Sequence, residues 1–312
     1  MVLLHFGINS FVTRLTHGAA TGFVFALSVD VFFLLSGFVL TAAQARAERH
    51  DLPKFLVKRV LRLLPVFFVT TAIVLINAGP DYDYHLAPLE LLLGLPFLGR
   101  DPANFPAWSI TWEFYLPIAA YALAPFLPKR PSWHPLLLLG LLAGLAATDV
   151  AVAAGGHYYF VRAVLGLAGG HLLFHAAPLI RIAWRQWHTY LLLTVLLAVM
   201  LASSAVATVA AVTPLIACAL ILSGAANDSA LLSSRPVQFL GAVSYTVYLA
   251  HIPVLRLFQL MFGTAIDSNP PLKLLGIAVS FLLAWLLTWY VELPMMRLSR
   301  NWVAARRQGI AP

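Results

Sequence analysis

Apolar positions along this chain come in long unbroken runs, with neither the strict alternation of half-buried strands nor the narrow stripe of a soluble amphipathic helix. Nine runs stand out, roughly Gly22–Thr41, Val60–Asn77, Pro106–Phe126, Leu136–Ala153, His157–Phe174, Tyr190–Ser203, Ala207–Ser223, Phe239–Phe262 and Leu272–Tyr290. A helix needs about 20 apolar residues to cross hydrocarbon, where every backbone amide must be satisfied within the segment. Each run therefore predicts a membrane-spanning helix. An apolar stub, Met1–Ile8, precedes them and is expected to be a truncated first span, which brings the total to about ten. Connectors rich in Pro, Gly and charge separate the runs, among them Ala78–Arg100, Pro128–Pro135 and Gly263–Pro271. No internal repeat or low-complexity tract appears. The predicted fold is all-α, a polytopic transmembrane helical bundle forming a single domain over residues 1–312, with no fused soluble domain expected.

Composition agrees with the pattern. Hydrophobic residues make up 61% of the 312 and charged residues only 10%, too little polar surface to cover a soluble globule of this length. The net charge of +8 sits between the apolar runs and forms no nucleic-acid-binding patch. Basic residues concentrate in alternate connectors: Arg46, Arg49, Lys54, Lys58, Arg59 and Arg62, then Lys129 and Arg130, Arg181 and Arg185, Arg235, and finally Arg297, Arg300, Arg306 and Arg307. The opposite set holds little beyond Arg14, Arg100 and Lys273, with Asp81, Asp83, Asp101 and Asp267. Cytoplasmic loops retain Lys and Arg, so both termini are expected in the cytoplasm. The first hydrophobic piece has no basic flank or small-residue cleavage site, so a removable leader is not predicted. The single cysteine, Cys218, excludes a disulfide framework or a cysteine metal site.

Ionisable side chains inside spans cost a few kcal/mol each, so every one needs a partner or a function. His5 in the stub titrates near neutrality and can take a proton from a hydroxyl and return it to a leaving group; an interfacial histidine is the plainer reading. Arg59 and Arg62 stand three apart, share a helix face and can clamp phosphate or pyrophosphate; taken alone, positive-inside anchoring with snorkelling stems is the favoured reading. Glu113 lies among aromatics with no cation nearby in sequence, so it must be neutral, paired across helices or facing a wet cavity. Trp108 and Trp112 beside it are expected as an interfacial belt. Ser244, Tyr248 and His251 recur at helical spacing along one stripe, suited either to chemistry or to helix packing. Asp30 and Glu292 are expected in structural ion pairs, with Arg59, Arg62, Arg162 and Arg256 as the available cations. No Gly-x-Ser-x-Gly elbow, His-Glu-x-x-His zinc pair or phosphate loop is present, and no metal site is expected.

Taken in order, these segments resemble the membrane-bound acyltransferase 3 family. Ser28–Thr41 looks like its second-span signature, and Lys58–Pro65 resembles its Arg-x-x-Arg element through Arg59 and Arg62. Trp108, Ser109 and Glu113 fit its Trp-Ser-x-x-x-Glu pattern. Gly241 to His251 is similar to its Gly-x-x-Ser-Tyr-x-x-Tyr-Leu-x-His segment, and Glu292 with Pro294 to its closing Glu-x-Pro. The resemblance implies O-acyl transfer, with acetyl the expected group, from acyl-CoA (acetyl-CoA) on the cytoplasmic side to a hydroxyl of a saccharide or other lipid-linked or envelope acceptor in a bacterial inner membrane. It implies catalytic roles for His5 and Glu113, donor binding by Arg59 and Arg62, and support from Asp30, Ser109, Ser244, Tyr248, His251 and Glu292. Acyl-CoA would be a co-substrate, with no permanently bound cofactor. Two rival readings stand beside it: a secondary transporter or flippase with a buried proton relay, and an inactive truncated homologue.

Overall fold

A computed structural model describes residues 27–47, 50–78, 82–123, 134–153, 158–180, 182–202, 206–226 and 229–307. The stub and His5 lie outside them. The described residues form helices α1 (Ser28–Ala45), α2 (Leu52–Ile76), a short α3 (Ala87–Leu91), α4 (Ala107–Leu123), α5 (His134–Ala153), α6 (Tyr159–Ala176), α7 (Gln186–Ala202), α8 (Val206–Ala226), α9 (Arg235–Phe262), a short α10 (Ala265–Ser268), α11 (Pro270–Leu287) and α12 (Leu293–Arg307). Each of the nine apolar runs has its helix. Five helical stretches are long and apolar enough to cross a bilayer: Ser28–Ala45, Leu52–Ile76, Tyr159–Leu179, Arg235–Phe262 and Pro270–Arg306. The chain is an all-helical membrane protein.

Helix ends differ from the apolar boundaries where capping decides them. α2 begins at Leu52, well before the apolar run at Val60, because the Asp51 side chain accepts from the Lys54 amide at 3.0 Å and Pro53 sits in the first turn. Lys54, Lys58, Arg59 and Arg62 are therefore helical. α11 starts the same way, with Asn269 accepting from Leu272 at 3.4 Å before Pro270 and Pro271.

The chain gathers into two compact units. One comprises residues 27–47 and 123–238, the other residues 50–122 and 239–307 among those described. In the first, α1 lies against α6, α6 against α5, and α8 against α5, α7 and α1. Leu34, Leu142, Leu145, Leu173 and Ala217 make its core. Lipid tails are as apolar as leucine, so helices in a membrane associate by close van der Waals approach at small residues. Gly37 and Gly170 supply that approach: a Cβ on Gly170 would stand 2.0 Å from the Leu34 carbonyl oxygen, and one on Gly37 would stand 2.2 Å from that of Leu167. Backbone cannot yield as a side-chain tip can. Gly170→Ala is expected to destabilise the protein by about 1–3 kcal/mol, read as a lowered midpoint of thermal unfolding in detergent; an unchanged midpoint would show that the helices are free to part.

In the second unit, Leu63, Val66, Phe67, Ile110 and Leu249 knit α2, α4 and α9, and Val243, Val247, Ala250, Ala284 and Leu287 join α9 to α11. α11 passes through a π-helical turn, Thr288–Glu292, into the polar α12. α12 packs along α2, with Arg306 reaching Asp51 at 3.4 Å. The Ala78–Arg100 connector is folded where described. Glu90 is 2% exposed and accepts from the amides of Ala103 (3.0 Å) and Asn104 (3.3 Å) and from the Tyr82 hydroxyl (3.4 Å). Burial pushes the Glu90 carboxyl above its ordinary value, the hydrogen bonds offsetting only part, and pushes the Tyr82 phenol up to about 12. Folded Glu90 thus holds its proton more tightly than the unfolded chain does. Its contribution is full below the unfolded value and is lost as pH rises through the raised folded one. Glu90→Gln is expected to flatten that part of the stability–pH profile in thermal unfolding, and an unaltered slope would refute the assignment.

Candidate functional site

The sequence-predicted residues of α2, α4, α9 and α11 meet in the second unit. Arg59, 8% exposed, turns inward from α2 and meets Glu113, 5% exposed, on α4. Arg59 Nη2 donates to Glu113 Oε1 at 3.1 Å and also to the backbone carbonyl of Glu113. That carbonyl is available because of the sequence: Pro117 stands four residues on and has no N–H, so the helix leaves the Glu113 oxygen without its usual donor. One guanidinium thereby satisfies a carboxylate and an orphaned carbonyl of the same residue. The cation that Glu113 lacks in sequence comes from another helix.

The two arginines do not point together. Arg62 is exposed and lies within electrostatic reach of Arg59, Tyr245 and Glu292. Their three-residue spacing spans 300° minus a full turn, about 60° around the helix axis. That angle is enough to put one inside the packing and the other at its rim. A second carboxylate approaches this rim from the π-helical turn, a backbone feature that recurs at functional sites. Glu292 Oε2 accepts from Thr246 Oγ1 at 2.8 Å, and Thr246 in turn accepts from Thr288 at 3.0 Å. The expected ion pair at Glu292 is replaced, among the described residues, by this hydroxyl relay, with Arg62 as the nearby charge.

Of the Ser244, Tyr248 and His251 stripe, two members face inward. Tyr248 meets Ser109 at 2.8 Å, and Ser109 donates to the Pro106 carbonyl at 3.0 Å, so the Tyr248 hydroxyl donates to Ser109. His251 is fully buried, its Nδ1 3.2 Å from the Val247 carbonyl, and its ring stands 6.2 Å from that of Tyr248. Ser244 is exposed and donates to the Gly241 carbonyl of its own helix at 2.8 Å, so it takes no part in the cluster. Tyr248→Phe leaves Ser109 its own acceptor. The change is expected to cost only about 0.5–1.5 kcal/mol, checked by thermal unfolding; a loss of several kcal/mol would mean that the hydroxyl carries more than this one bond.

Trp108 and Trp112 depart from expectation. They are 2% and 5% exposed, and Phe97 of the connector packs edge-on against Trp112 with centroids 4.7 Å apart. They are core residues and form no interfacial belt; over Trp112 the connector folds back and lays Phe97 against the ring.

Several contributors were not singled out by sequence. Tyr245 donates to the Leu63 carbonyl at 2.5 Å, and Thr246 holds Glu292. Asn104, fully buried, donates to Thr70 at 3.3 Å and to the Leu249 carbonyl at 3.4 Å. The signal for Asn104 was present: Pro253 stands four residues after Leu249 and frees that carbonyl, just as Pro117 frees that of Glu113.

Asp30 lies in the first unit. Of the four cations open to it, the fold selects Arg162, whose Nε and Nη2 reach Asp30 Oδ1 and Oδ2 at 3.1 and 2.5 Å. Asp149, unforeseen, stands 2.8 Å from the same Nε.

A family model described as an acyltransferase domain, that of the acyltransferase 3 family, matches residues 1–289. No curated protein and no solved structure matches the chain.

Proposed function

Because the chain belongs to the acyltransferase 3 family and is an acyltransferase, we propose that it is an integral membrane O-acyltransferase. The reaction moves an acyl group, acetyl as the expected one, from acyl-CoA to a hydroxyl of a saccharide or other cell-envelope acceptor. The enzyme works in the bacterial inner membrane with both termini cytoplasmic, an orientation supported by the alternation of Lys and Arg between connectors.

The observation that carries this reading is the buried Arg59–Glu113 pair with exposed Arg62 beside it. A carboxylate held by a guanidinium inside the packing is fixed in direction, which suits it to orient an imidazolium or to accept from a substrate hydroxyl. The guanidinium of Arg62 offers paired donors of the kind that grip phosphate oxygens. In this reading Arg62 receives the phosphates of the donor, and Arg59 backs it with charge while holding Glu113. His5 serves as general base on the acceptor hydroxyl, or is acylated and passes the group on. In the first route the hydroxyl oxygen attacks the thioester carbonyl and the C–S bond breaks. In the second the imidazole nitrogen attacks the thioester and breaks the C–S bond, and the hydroxyl oxygen then attacks the acyl-imidazole and breaks its C–N bond. In both the thiolate released takes up one proton for the one that the hydroxyl gives up.

The test is transfer of labelled acetyl from acetyl-CoA by purified protein to a panel of saccharides, or hydrolysis without an acceptor. His5→Ala is expected to abolish both while leaving membrane insertion intact. Full activity in that variant would remove His5 from the mechanism, and no turnover of any acyl-CoA by the unaltered protein would overturn the enzyme reading.

A further inference from the structure

The first unit contains three charged side chains that the acyl-transfer reading does not use: Asp30 on α1, Arg162 on α6 and Asp149 on α5. They are 0%, 1% and 0% exposed. Two carboxylates on one guanidinium sum to a net charge of −1 if all are ionised, in a place where hydrocarbon and packed side chains offer no screening. The geometry shows how the imbalance is resolved. Arg162 directs Nε and Nη2 at the two oxygens of Asp30. The Nε hydrogen is therefore committed, and Asp149 Oδ1, although 2.8 Å from that nitrogen, receives no aligned N–H. Neither Asp149 oxygen has a hydrogen-bond donor. The carboxylate of Asp30 shares that nitrogen, its Oδ1 standing 3.1 Å from the same Nε. Two carboxylates are both acceptors, and only a proton joins them.

We propose that Asp149 and Asp30 form a proton-binding site buried between α1, α5 and α6 of the first unit. Asp149 carries the proton and donates it to an oxygen of Asp30, and Arg162 clamps the ionised partner. Each oxygen of Asp30 has two lone pairs, so it accepts from the guanidinium and from Asp149 together. The cluster is then neutral, as its burial requires. A metal cation fits poorly: two carboxylates, one of them clamped by Arg162, supply fewer oxygens than the six or so that hard cations take.

The charged and titratable groups on the packed elements are few. α1 brings Asp30, α5 brings Asp149 with His134 at its far end, α6 brings Tyr159 and Arg162 with His171 and His175 towards its other end, and α8 brings only Cys218. Asp30 and Arg162 are the groups acting on Asp149.

Infrared spectroscopy of the full chain in detergent tests the site. The unaltered protein at neutral pH is expected to show the C=O stretch of a protonated carboxylic acid, shifted by D2O and shifted again when aspartate alone is labelled with 13C. Asp149→Asn removes the acid. Asp30→Asn leaves one carboxylate on one guanidinium, so the band is expected to vanish in both variants. No 13C-aspartate-sensitive band in the unaltered protein, or a band surviving in both variants, overturns the proposal. A band that NaCl abolishes at constant pH overturns it too, in favour of a sodium site. The labelled parent gives the answer even if neither variant folds.

Discussion

Arg59→Ala is expected to lower folding stability by about 3–5 kcal/mol and to abolish acyl transfer, whereas Arg62→Ala is expected to leave stability nearly unchanged and raise KM for the acyl-CoA donor about tenfold, equivalent to about 1.4 kcal/mol. The contrast follows from where the fold puts two residues only three apart. Removing Arg59 strands two acceptors at once, the Glu113 carboxylate and the Glu113 carbonyl freed by Pro117, both inside the packing of the second unit. Removing Arg62 exposes nothing, because its side chain already lies at the surface. Thermal unfolding in detergent and steady-state kinetics with varied acetyl-CoA separate the two effects. Equal loss of stability in both variants would mean that Arg62 is also a packing residue. A raised kcat/KM in either would remove the arginines from donor binding. Glu113→Gln, which keeps an oxygen for Arg59 but no charge, is expected to retain most of the stability and lose the activity.

Arg162→Ala carries the other large expected effect, a destabilisation of about 3–5 kcal/mol centred on the first unit. The guanidinium is almost wholly buried and bridges three helices, taking both oxygens of Asp30 and standing beside Asp149. Without it, two carboxyl groups face each other with no cation among the described contacts, and each must take a proton or pull water into the bundle. Arg162→Lys restores charge but not the forked geometry that spans both oxygens of Asp30, so partial recovery is expected. Adding Asp30→Asn to Arg162→Ala is expected to recover further stability, because it removes the surviving charge. Thermal unfolding of the single and double variants measures the coupling between the sites. Simple additivity would show that the three side chains do not form one unit.

Much of the molecule was legible from composition and run length, for a reason specific to lipid. Where backbone amides must pair within the segment, an apolar run of sufficient length has one stable form, and each of the nine runs duly became a helix. Boundaries were less legible, since a cap such as Asp51 with Pro53 begins a helix among basic residues that hydropathy assigns to a loop. Aromatic position also misled. Tryptophans flanking an apolar run read as an interfacial belt, yet Trp108 and Trp112 are buried, and the folded connector brings Phe97 over Trp112. Nothing in a run of residues tells that the loop before it will fold back.

The candidate residues divide along the same line. Which side chains are anomalous in a membrane is a property of the chain alone, and Asp30, Arg59, Arg62, Glu113, His251 and Glu292 could all be named from it. So could two carbonyls, those of Glu113 and Leu249, since a proline four residues later always withholds their donor. Which partner each one takes depends on contacts between helices far apart in sequence. Tertiary packing gave Asp30 to Arg162 among four cations, brought Asp149 to the same guanidinium, bound Glu113 to Arg59, assigned Glu292 to Thr246, and turned Ser244 away. The physical reason is that desolvation marks a residue wherever its helix lies, while pairing requires two particular helix faces to meet, and only the folded bundle decides which faces do.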